Sequence, residues 1–323
     1  MVKKNISNSF LKKTSKSLFL FGYEKYFNFF RNLYENKNLP HSIILTGPKG
    51  SGKSTFVYHF INYIFSKSQT DSYDLLNFKV NEANKNYKLL ENNLHTNFFL
   101  LDNENFATEI KIEQVRKLHK FLNSSTYSKD IKVVLIDNAE TLNKSSVNSL
   151  LKSIEEPKKN TFFFIIQNSS SKTLETLKSR CVEFKIHFSF EEKKKIFKNI
   201  HSNLFSDDYS DDFIKDFLFI DSPGNVIKYF LELSKLQLNN NLEYIYHFIK
   251  KYKVKKDSET LSFLLLFISN YYKNLLLNIN NNHNNYFTNH SKVIRFIHDM
   301  KNFNLNQKNV LNTIEHILEN EKR

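Results

Sequence analysis

From Ser42 to Ile186, short apolar runs alternate with stretches whose apolar residues recur every three to four positions, the pattern of a parallel sheet covered by helices. The runs predict strands at Ile43–Thr46, Phe98–Leu101, Lys132–Ile136, Phe162–Ile166 and Val182–Ile186. Val57, Phe60, Ile61, Ile64 and Phe65 mark the face of one intervening helix, and Val147, Leu150, Leu151 and Ile154 that of another. The second should stop before Pro157, because the residue ahead of a proline is pushed out of helical geometry. After Ile186 the strand signal ends. Ser189 with Glu192 three residues on forms a capping box, and Pro223-Gly224 is the clear break before Gln237, so this stretch reads as a small helical unit. Beyond Asn239–Asn241, Leu261 to Ile279 reads as a buried helix, and Val310, Leu311, Ile314, Ile317 and Leu318 stripe another. The Asn-rich segment from Asn278 to Asn285 is expected to be a surface loop between helices. The fold class is therefore α/β followed by all-α.

Composition adds limits. A chain of 323 residues with 40% hydrophobic side chains can bury a sizeable core in two or three domains, which excludes disorder of the whole. The net charge of +14 points toward an anionic partner. That inference is discounted, because 42 Lys against 5 Arg, with 32 Phe and only 3 Ala, is the skew of A- and T-rich codons. A single cysteine, Cys181, excludes an intrachain disulfide and any Cys-based zinc site, and a reducing cytoplasm is expected. The basic start, Met1 to Lys16, precedes an apolar run of only Leu18 to Phe21, too short for a signal-peptide core or a membrane span. No membrane association is expected.

Gly47-Pro48-Lys49-Gly50-Ser51-Gly52-Lys53-Ser54 matches the phosphate-loop motif G-x-x-x-x-G-K-[ST], directly after a strand and before an amphipathic helix. Three of the five glycines fall within this window, Gly47, Gly50 and Gly52. They let backbone N–H groups around Ser51 turn toward phosphate oxygens, Lys53 supplies a point charge, and Ser54, followed by Thr55, offers a hydroxyl to Mg²⁺. The alternative is a loop that keeps this shape without binding nucleotide. Asp137 ends the apolar run Val133–Ile136, where a phosphate-loop protein holds Mg²⁺. The residue after it is Asn138, where many such ATPases carry a glutamate base. An amide can orient water but cannot take its proton, so hydrolysis should be slow even if ATP with Mg²⁺ binds. Whether Glu140 reaches a bound phosphate is left open by the sequence. Ser179-Arg180-Cys181 places an arginine where this Lys-rich chain would by default put lysine; its planar fork suits phosphate, although a lone arginine is more often an ordinary surface charge.

Together, Leu39-Pro40-His41-Ser42, the phosphate loop, Ile112-Glu113-Gln114-Val115-Arg116, Asp137-Asn138-Ala139-Glu140, Asn148-Ser149-Leu150-Leu151-Lys152-Ser153-Ile154-Glu155-Glu156-Pro157 and Ser179-Arg180-Cys181 resemble the bacterial clamp-loader family of AAA+ proteins, nearest its DNA polymerase III delta-prime branch. The motifs span about Phe21 to Ile186. The resemblance implies a basic arm at 1–20, an AAA+ nucleotide-fold domain at 21–187, a helical lid at 188–238 and a helical collar at 239–323. It further implies a stator in a hetero-pentamer with tau/gamma motor subunits and a delta subunit, loading a sliding clamp onto primed DNA. Arg180 would be the arginine finger acting on ATP held by a neighbour, and Asn168 the first sensor. Where the family's second sensor brings an arginine from the lid, this chain has Ile227, with Lys228 adjacent. The motor subunits' four-cysteine zinc module has no counterpart between Ser66 and Thr96. Both departures favour the stator, with weak or absent ATPase of its own.

Two other functions compete. An ATP-hydrolysing motor, tau/gamma-like or of the small replication-factor type, is favoured by Lys53 and Asp137, with Asn168, Ser170 and Lys172 suiting the second type, and opposed by Asn138 and Ile227. A small-molecule kinase lacks any recognisable acceptor site. For the remaining motif residues plain readings compete: Leu150, Leu151 and Ile154 as core, Glu155-Glu156 as the close of a helix, Arg116 and Lys152 as solvated charges.

Overall fold

The computed structural model describes residues 14–67, 69–103, 109–124, 131–168, 175–205, 211–233, 236, 241–278, 283–303 and 305–321. The basic arm before Thr14, Ser170 and Lys172, and most of the Asn-rich tract, at 279–282, lie outside the described residues.

In chain order the elements are α1 (Glu24–Glu35), β1 (Ser42–Gly47), α2 (Lys53–Ser66), α3 (Lys85–Glu91), β2 (Phe98–Leu101), α4 (Ile112–Asn123), β3 (Lys132–Ile136), α5 (Lys144–Glu155), β4 (Thr161–Asn168), α6 (Glu175–Lys178), β5 (Val182–Lys185), α7 (Phe190–Leu204), α8 (Asp211–Ile220), α9 (Pro223–Leu233), α10 (Asn241–Val254), α11 (Ser258–Asn278), α12 (His283–Asn302) and α13 (Gln307–Asn320). All five expected strands form, β1 and β4 reaching a residue or more past the apolar runs and β5 ending one residue short. They make one parallel sheet in the order β2-β3-β4-β1-β5. Every residue of β1 and β3 is buried, as expected of central parallel strands covered on both faces. α5 closes at Glu155, ahead of Pro157, and Ser189 and Glu192 exchange capping hydrogen bonds at the start of α7, Ser189 N to Glu192 Oε2 at 2.8 Å and Glu192 N to Ser189 Oγ at 3.3 Å.

On one side of the sheet, Val115, Leu118 and Leu122 of α4 and Val147, Leu150 and Ile154 of α5 join Val134, Ile136, Phe163 and Ile165 in a single apolar cluster. Lys132, itself buried, caps α4 by donating to the carbonyls of Phe121 at 2.8 Å and Ser124 at 2.7 Å, which satisfies helix-end acceptors that would otherwise lose water on folding. On the other side the packing is aromatic: Phe27, Phe30, Phe56 and Phe60 are fully buried, with Phe30 edge-on to Phe56 at 5.1 Å.

The chain divides into two compact units, Met1–Asp208 with Asp221–Lys228, and Tyr209–Ile220 with Tyr229–Arg323. The second is helical. α11 carries the buried Phe263, Leu264, Phe267 and Ile268, and Phe248 of α10 stacks on Phe267 at 5.4 Å. The stripe on α13 faces this core through Leu311, Ile314 and Leu318, and Lys253 of α10 pairs with Glu315 of α13 at 2.7 Å. α12 begins at His283, inside the Asn-rich tract expected as a loop, while α11 ends at Asn278, one residue short of the expected helix end. Among the described residues no helix is long and apolar enough to cross a membrane.

Candidate functional site

The strand register assembles the site. Because all strands run the same way, their carboxyl ends lie along one edge, the usual binding crevice of an open parallel sheet. β1 and β4 pair with Gly47 opposite Asn168, and β2 and β3 pair with Leu101 opposite Ile136. The next residues, Asp102 and Asp137, are thereby brought side by side. Asp102 was not recognised from sequence, although it carries the same signal as Asp137, a carboxylate closing an apolar run.

Between β1 and α2 the loop turns through Gly50 at φ +80° and Gly52 at φ +96°, left-handed backbone that side-chain-bearing residues rarely adopt. The first intrahelical bond of α2 is Phe56 N to Gly52 O at 2.9 Å, so the earlier N–H groups of its first turn have no intrahelical acceptor. Tyr23 supports the loop from the core side. Its hydroxyl donates to Ser51 O at 3.2 Å and its ring stacks on Phe56 at 5.0 Å. Burial raises that hydroxyl well above the ordinary tyrosine range, so it stays a donor.

Lys53 is almost completely buried, and its Nζ donates to the carbonyls of Gly47 and Pro48, each at 2.7 Å, and to Asn168 Oδ1 at 3.4 Å. Burial lowers its ammonium to about 8, against the opposing pull of the Asp137 and Glu140 carboxylates. Asn168 in turn donates through Nδ2 to Glu140 Oε1. The other Glu140 oxygen, Oε2, is buried without a hydrogen-bond partner among the described residues. Glu140 thus enters the site through Asn168, a link that sequence spacing could not give. Asp137 is raised to about 6, first by burial and then by the Asp102 charge, against hydrogen bonds from the Ser54 hydroxyl and the Asn138 backbone and the charge of Lys53. Asn138, at φ +55°, directs its amide to Asp102 Oδ1 at 3.0 Å. Gln114 holds the same segment by donating to Asp102 O at 2.8 Å.

These groups border a cavity of about 260 Å³. Gly50, Ser51, Gly52, Lys53, Ser54, Thr55, Asp137, Asn138 and Asn168 line it from the loop and the strand ends, and Phe19, Leu20, Phe21, Ile196 and Ile200 give it apolar wall. Its apolar wall is anchored by His59, whose Nε2 donates to Ser17 O at 3.1 Å while Nδ1 accepts from the Tyr73 hydroxyl at 2.9 Å. Burial lowers His59 to about 3, consistent with this neutral ring. Pro223, Gly224, Asn225 and Lys228 close the cavity from α9. Ile227 is fully buried in the core, while its neighbour Lys228 lines the cavity. The first turn of α9 is bolted to the loop: Gly224 N donates to Gly50 O at 3.1 Å, and Ser222 Oγ and Asn225 Nδ2 donate to Lys49 O at 2.7 Å and 3.2 Å. Neither Ser222 nor Asn225 carried a sequence signal beyond its place beside Pro223-Gly224.

Other motif residues do structural work. His41 Nδ1 donates to Thr161 O at 2.8 Å and Ser42 Oγ to Ile154 O at 2.8 Å, which stitch β1 to its neighbours. Leu150 and Ile154 are core, while Arg116 and Lys152 are exposed. Arg180 does not line the cavity of its own chain; it follows α6 at the surface, with Nε donating to Glu155 Oε2 at 2.9 Å and Nη1 to Thr176 O at 3.1 Å.

Residues 22–189 match the family model described as DNA polymerase III, delta subunit. Among curated proteins, the delta-prime subunit of DNA polymerase III from Pseudomonas aeruginosa is 32% identical over 143 residues, 44% of this chain and 42% of that protein. The delta-prime subunit from Buchnera aphidicola of Acyrthosiphon pisum is 26% identical over 170 residues, 51% of this chain and 48% of that protein. A gamma subunit of the same polymerase from Buchnera aphidicola of Schizaphis graminum is 27% identical over 152 residues, 47% of this chain and 39% of that protein. The chain spans less than half the length of each of these relatives. Among solved structures, a gamma-subunit-related protein of DNA polymerase III from Thermotoga maritima is similar with a TM-score of 0.50 at 15% identity, over 91% of this chain and 99% of that one. That likeness is one of fold, a parallel α/β sheet domain followed by helices. With more than half its length matched by the family model and the site at the carboxyl edge of its sheet, the chain belongs to the DNA polymerase III delta-subunit family, in its delta-prime branch.

Proposed function

We propose that this chain is a clamp-loader stator, a cytoplasmic AAA+ subunit that joins tau/gamma motor subunits and a delta subunit in a hetero-pentamer and helps load a sliding clamp onto primed DNA. In this reading residues 21–187 are the nucleotide-fold domain, 188–238 the lid and 239–323 the collar. Membership of the delta-prime branch supports the assembly role. The observation that supports the stator assignment is the position of Arg180, at the surface and outside its own chain's cavity, where its guanidinium could meet a neighbour's nucleotide but does not face its own. An arginine supplied in trans accelerates phosphoryl transfer by roughly 10³–10⁵.

The chain's own cavity has donors suited to ATP with Mg²⁺. The left-handed turns at Gly50 and Gly52 would present backbone N–H groups to phosphate beside Ser51, Lys53 carries the charge, Ser54 and Asp137 would hold the metal, and Gly47, Thr55 and Asn168 complete the frame. Mg²⁺ would draw charge from the phosphates. The residue after Asp137 is an amide already bonded to Asp102, so no carboxylate stands there to take a proton from water, and turnover is expected to be slow. The gathering of Lys53, Ser54, Asp137 and Asn168 around one cavity favours nucleotide binding in cis and sustains the motor reading as the second choice.

The test is Arg180→Ala in a reconstituted loader. DNA-stimulated ATP turnover should fall at least about tenfold at the interface it serves. Unchanged turnover would overturn the finger assignment, and fast single-turnover hydrolysis by the isolated chain would move the motor reading to first place.

A further inference from the structure

Arg180 is held before any partner arrives. It follows α6, a single turn anchored by Leu177, which is buried in the same apolar cluster as Leu150 and Ile154 of α5. Arg180 N closes that turn on Leu177 O at 3.1 Å. Glu155 is the last residue of α5, directly after Ile154, whose carbonyl is fixed by Ser42 Oγ. Two stiff points of the backbone therefore present the two side chains to each other. Glu155 Oε2 accepts from Arg180 Nε at 2.9 Å, and Nη1 donates to Thr176 O at 3.1 Å and Ser179 Oγ at 3.2 Å.

A guanidinium is planar and has five N–H donors. With Nε and Nη1 committed, Nη2 is the nitrogen without a hydrogen bond to this chain among the described residues. The plane and direction of the group are fixed by partners on two elements, while one nitrogen remains for a ligand from outside. The Glu155 side chain is more than half exposed, so the pair contributes little to folding. Its effect lies in orientation. A free arginine side chain loses considerable rotamer entropy when it is ordered, and a group ordered in advance loses less on meeting its target.

We infer that Glu155 is a positioning residue for Arg180, orienting its guanidinium toward the nucleotide of a neighbouring subunit. This rests on the reading of Arg180 as a group acting in trans. In a loader reconstituted from the full chain and its partner subunits, Glu155→Ala should lower DNA-stimulated turnover at saturating ATP about tenfold, with KM little changed, because misplacement of a reacting group costs rate more than ground-state binding. Glu155→Gln should retain most of the turnover, since its amide oxygen can still accept from Nε. In the Arg180→Ala background, Glu155→Ala should have no further effect, and the melting temperature of the isolated Glu155→Ala chain should move by no more than about 2 °C.

Unchanged or faster turnover in Glu155→Ala, with Arg180→Ala defective, would overturn the positioning role and leave the finger intact. Equal losses in Glu155→Ala and Glu155→Gln would also overturn it, since the accepting oxygen would then not be what matters. An Arg180→Ala loader with full turnover would remove the reading beneath it, and the inference with it.

Discussion

Asn138 and Asp102 are joined across the carboxyl edge of the sheet, the amide Nδ2 donating to the carboxylate Oδ1 at 3.0 Å. The bond satisfies a half-buried carboxylate that also stands beside Asp137. Asn138→Glu would replace the donor with a third negative charge. Stability at pH 7 should drop by about 1–3 kcal/mol, from a lost hydrogen bond and like-charge repulsion. The same variant supplies a carboxylate base, so single-turnover hydrolysis of Mg-ATP should rise at least about tenfold. Thermal melting and quenched-flow assays read the two effects separately, and an unaltered rate would mean that the missing carboxylate is not what limits turnover.

Asp137 is expected to trade stability for ligand binding. Its folded-state carboxyl is raised to about 6, above the ordinary carboxylate value it regains on unfolding. A raised acid favours the fold fully only below the unfolded value, and that contribution is lost as pH climbs through 6. Asp137→Asn removes the charge at the root of this loss. The ligand-free variant should therefore be more stable than the parent by about 1–3 kcal/mol at pH 7.5, with the gap closing between pH 6 and pH 4. Its metal-dependent nucleotide binding should disappear. Melting curves across that range check the sign, and a variant less stable at pH 7.5 would contradict it.

Proton exchange on nucleotide binding should change sign with pH. Lys53 is lowered to about 8 in the ligand-free chain. Phosphate against its ammonium would restore the charged form, so binding at pH 8 should draw in about half a proton. At pH 6 Lys53 is already charged and Asp137 is half protonated, so a metal beside Asp137 should release about half a proton instead. Calorimetry in two buffers of different ionisation enthalpy measures both. Proton release at pH 8 would place the phosphates away from Lys53.

What was legible in the sequence was what periodicity and local chemistry determine. All five strands, the stop of α5 before Pro157 and the capping box at Ser189 follow from nearest-neighbour rules, and the loop from Gly47 to Ser54 from its glycine spacing. What required the fold were contacts set by register. Asp102 meets Asp137 only because Leu101 pairs with Ile136, and Asn168 meets Lys53 only because it lies opposite Gly47. The closure of the loop by Ser222 and Asn225 joins residues more than 170 positions apart, which no local pattern encodes. Lys228 shows the limit of motif alignment. Ile227, where the resemblance leads one to expect a lid residue reaching the nucleotide, is in the core, while the cation at the cavity is one residue on, where a helix turns by about 100°.

The interlock of Gly50 and Gly224 gives a prediction whose sign runs against helix propensity. Near the start of a helix such as α9, replacing glycine by alanine ordinarily stabilises by about 0.5–1 kcal/mol, because alanine has less chain entropy to lose. Here a Cβ on Gly224 would stand 2.4 Å from Gly50 O, backbone that is itself held by the Gly224 N–H. Nor can the loop give way easily, since the space over Gly50 is taken by Ser222 Oγ and Asn225 Oδ1, each 2.4 Å from where its own Cβ would be. Gly224→Ala should therefore destabilise the ligand-free chain by about 1–3 kcal/mol, the usual cost of overpacking, and should weaken nucleotide binding by shifting the loop. Ser222→Ala removes one hydrogen bond to Lys49 O without adding bulk, and should cost about 1 kcal/mol. Denaturant melts of the two variants rank the effects. A Gly224→Ala chain more stable than the parent would mean that α9 does not rest on the loop in solution, and the closed cavity would then require ligand to form.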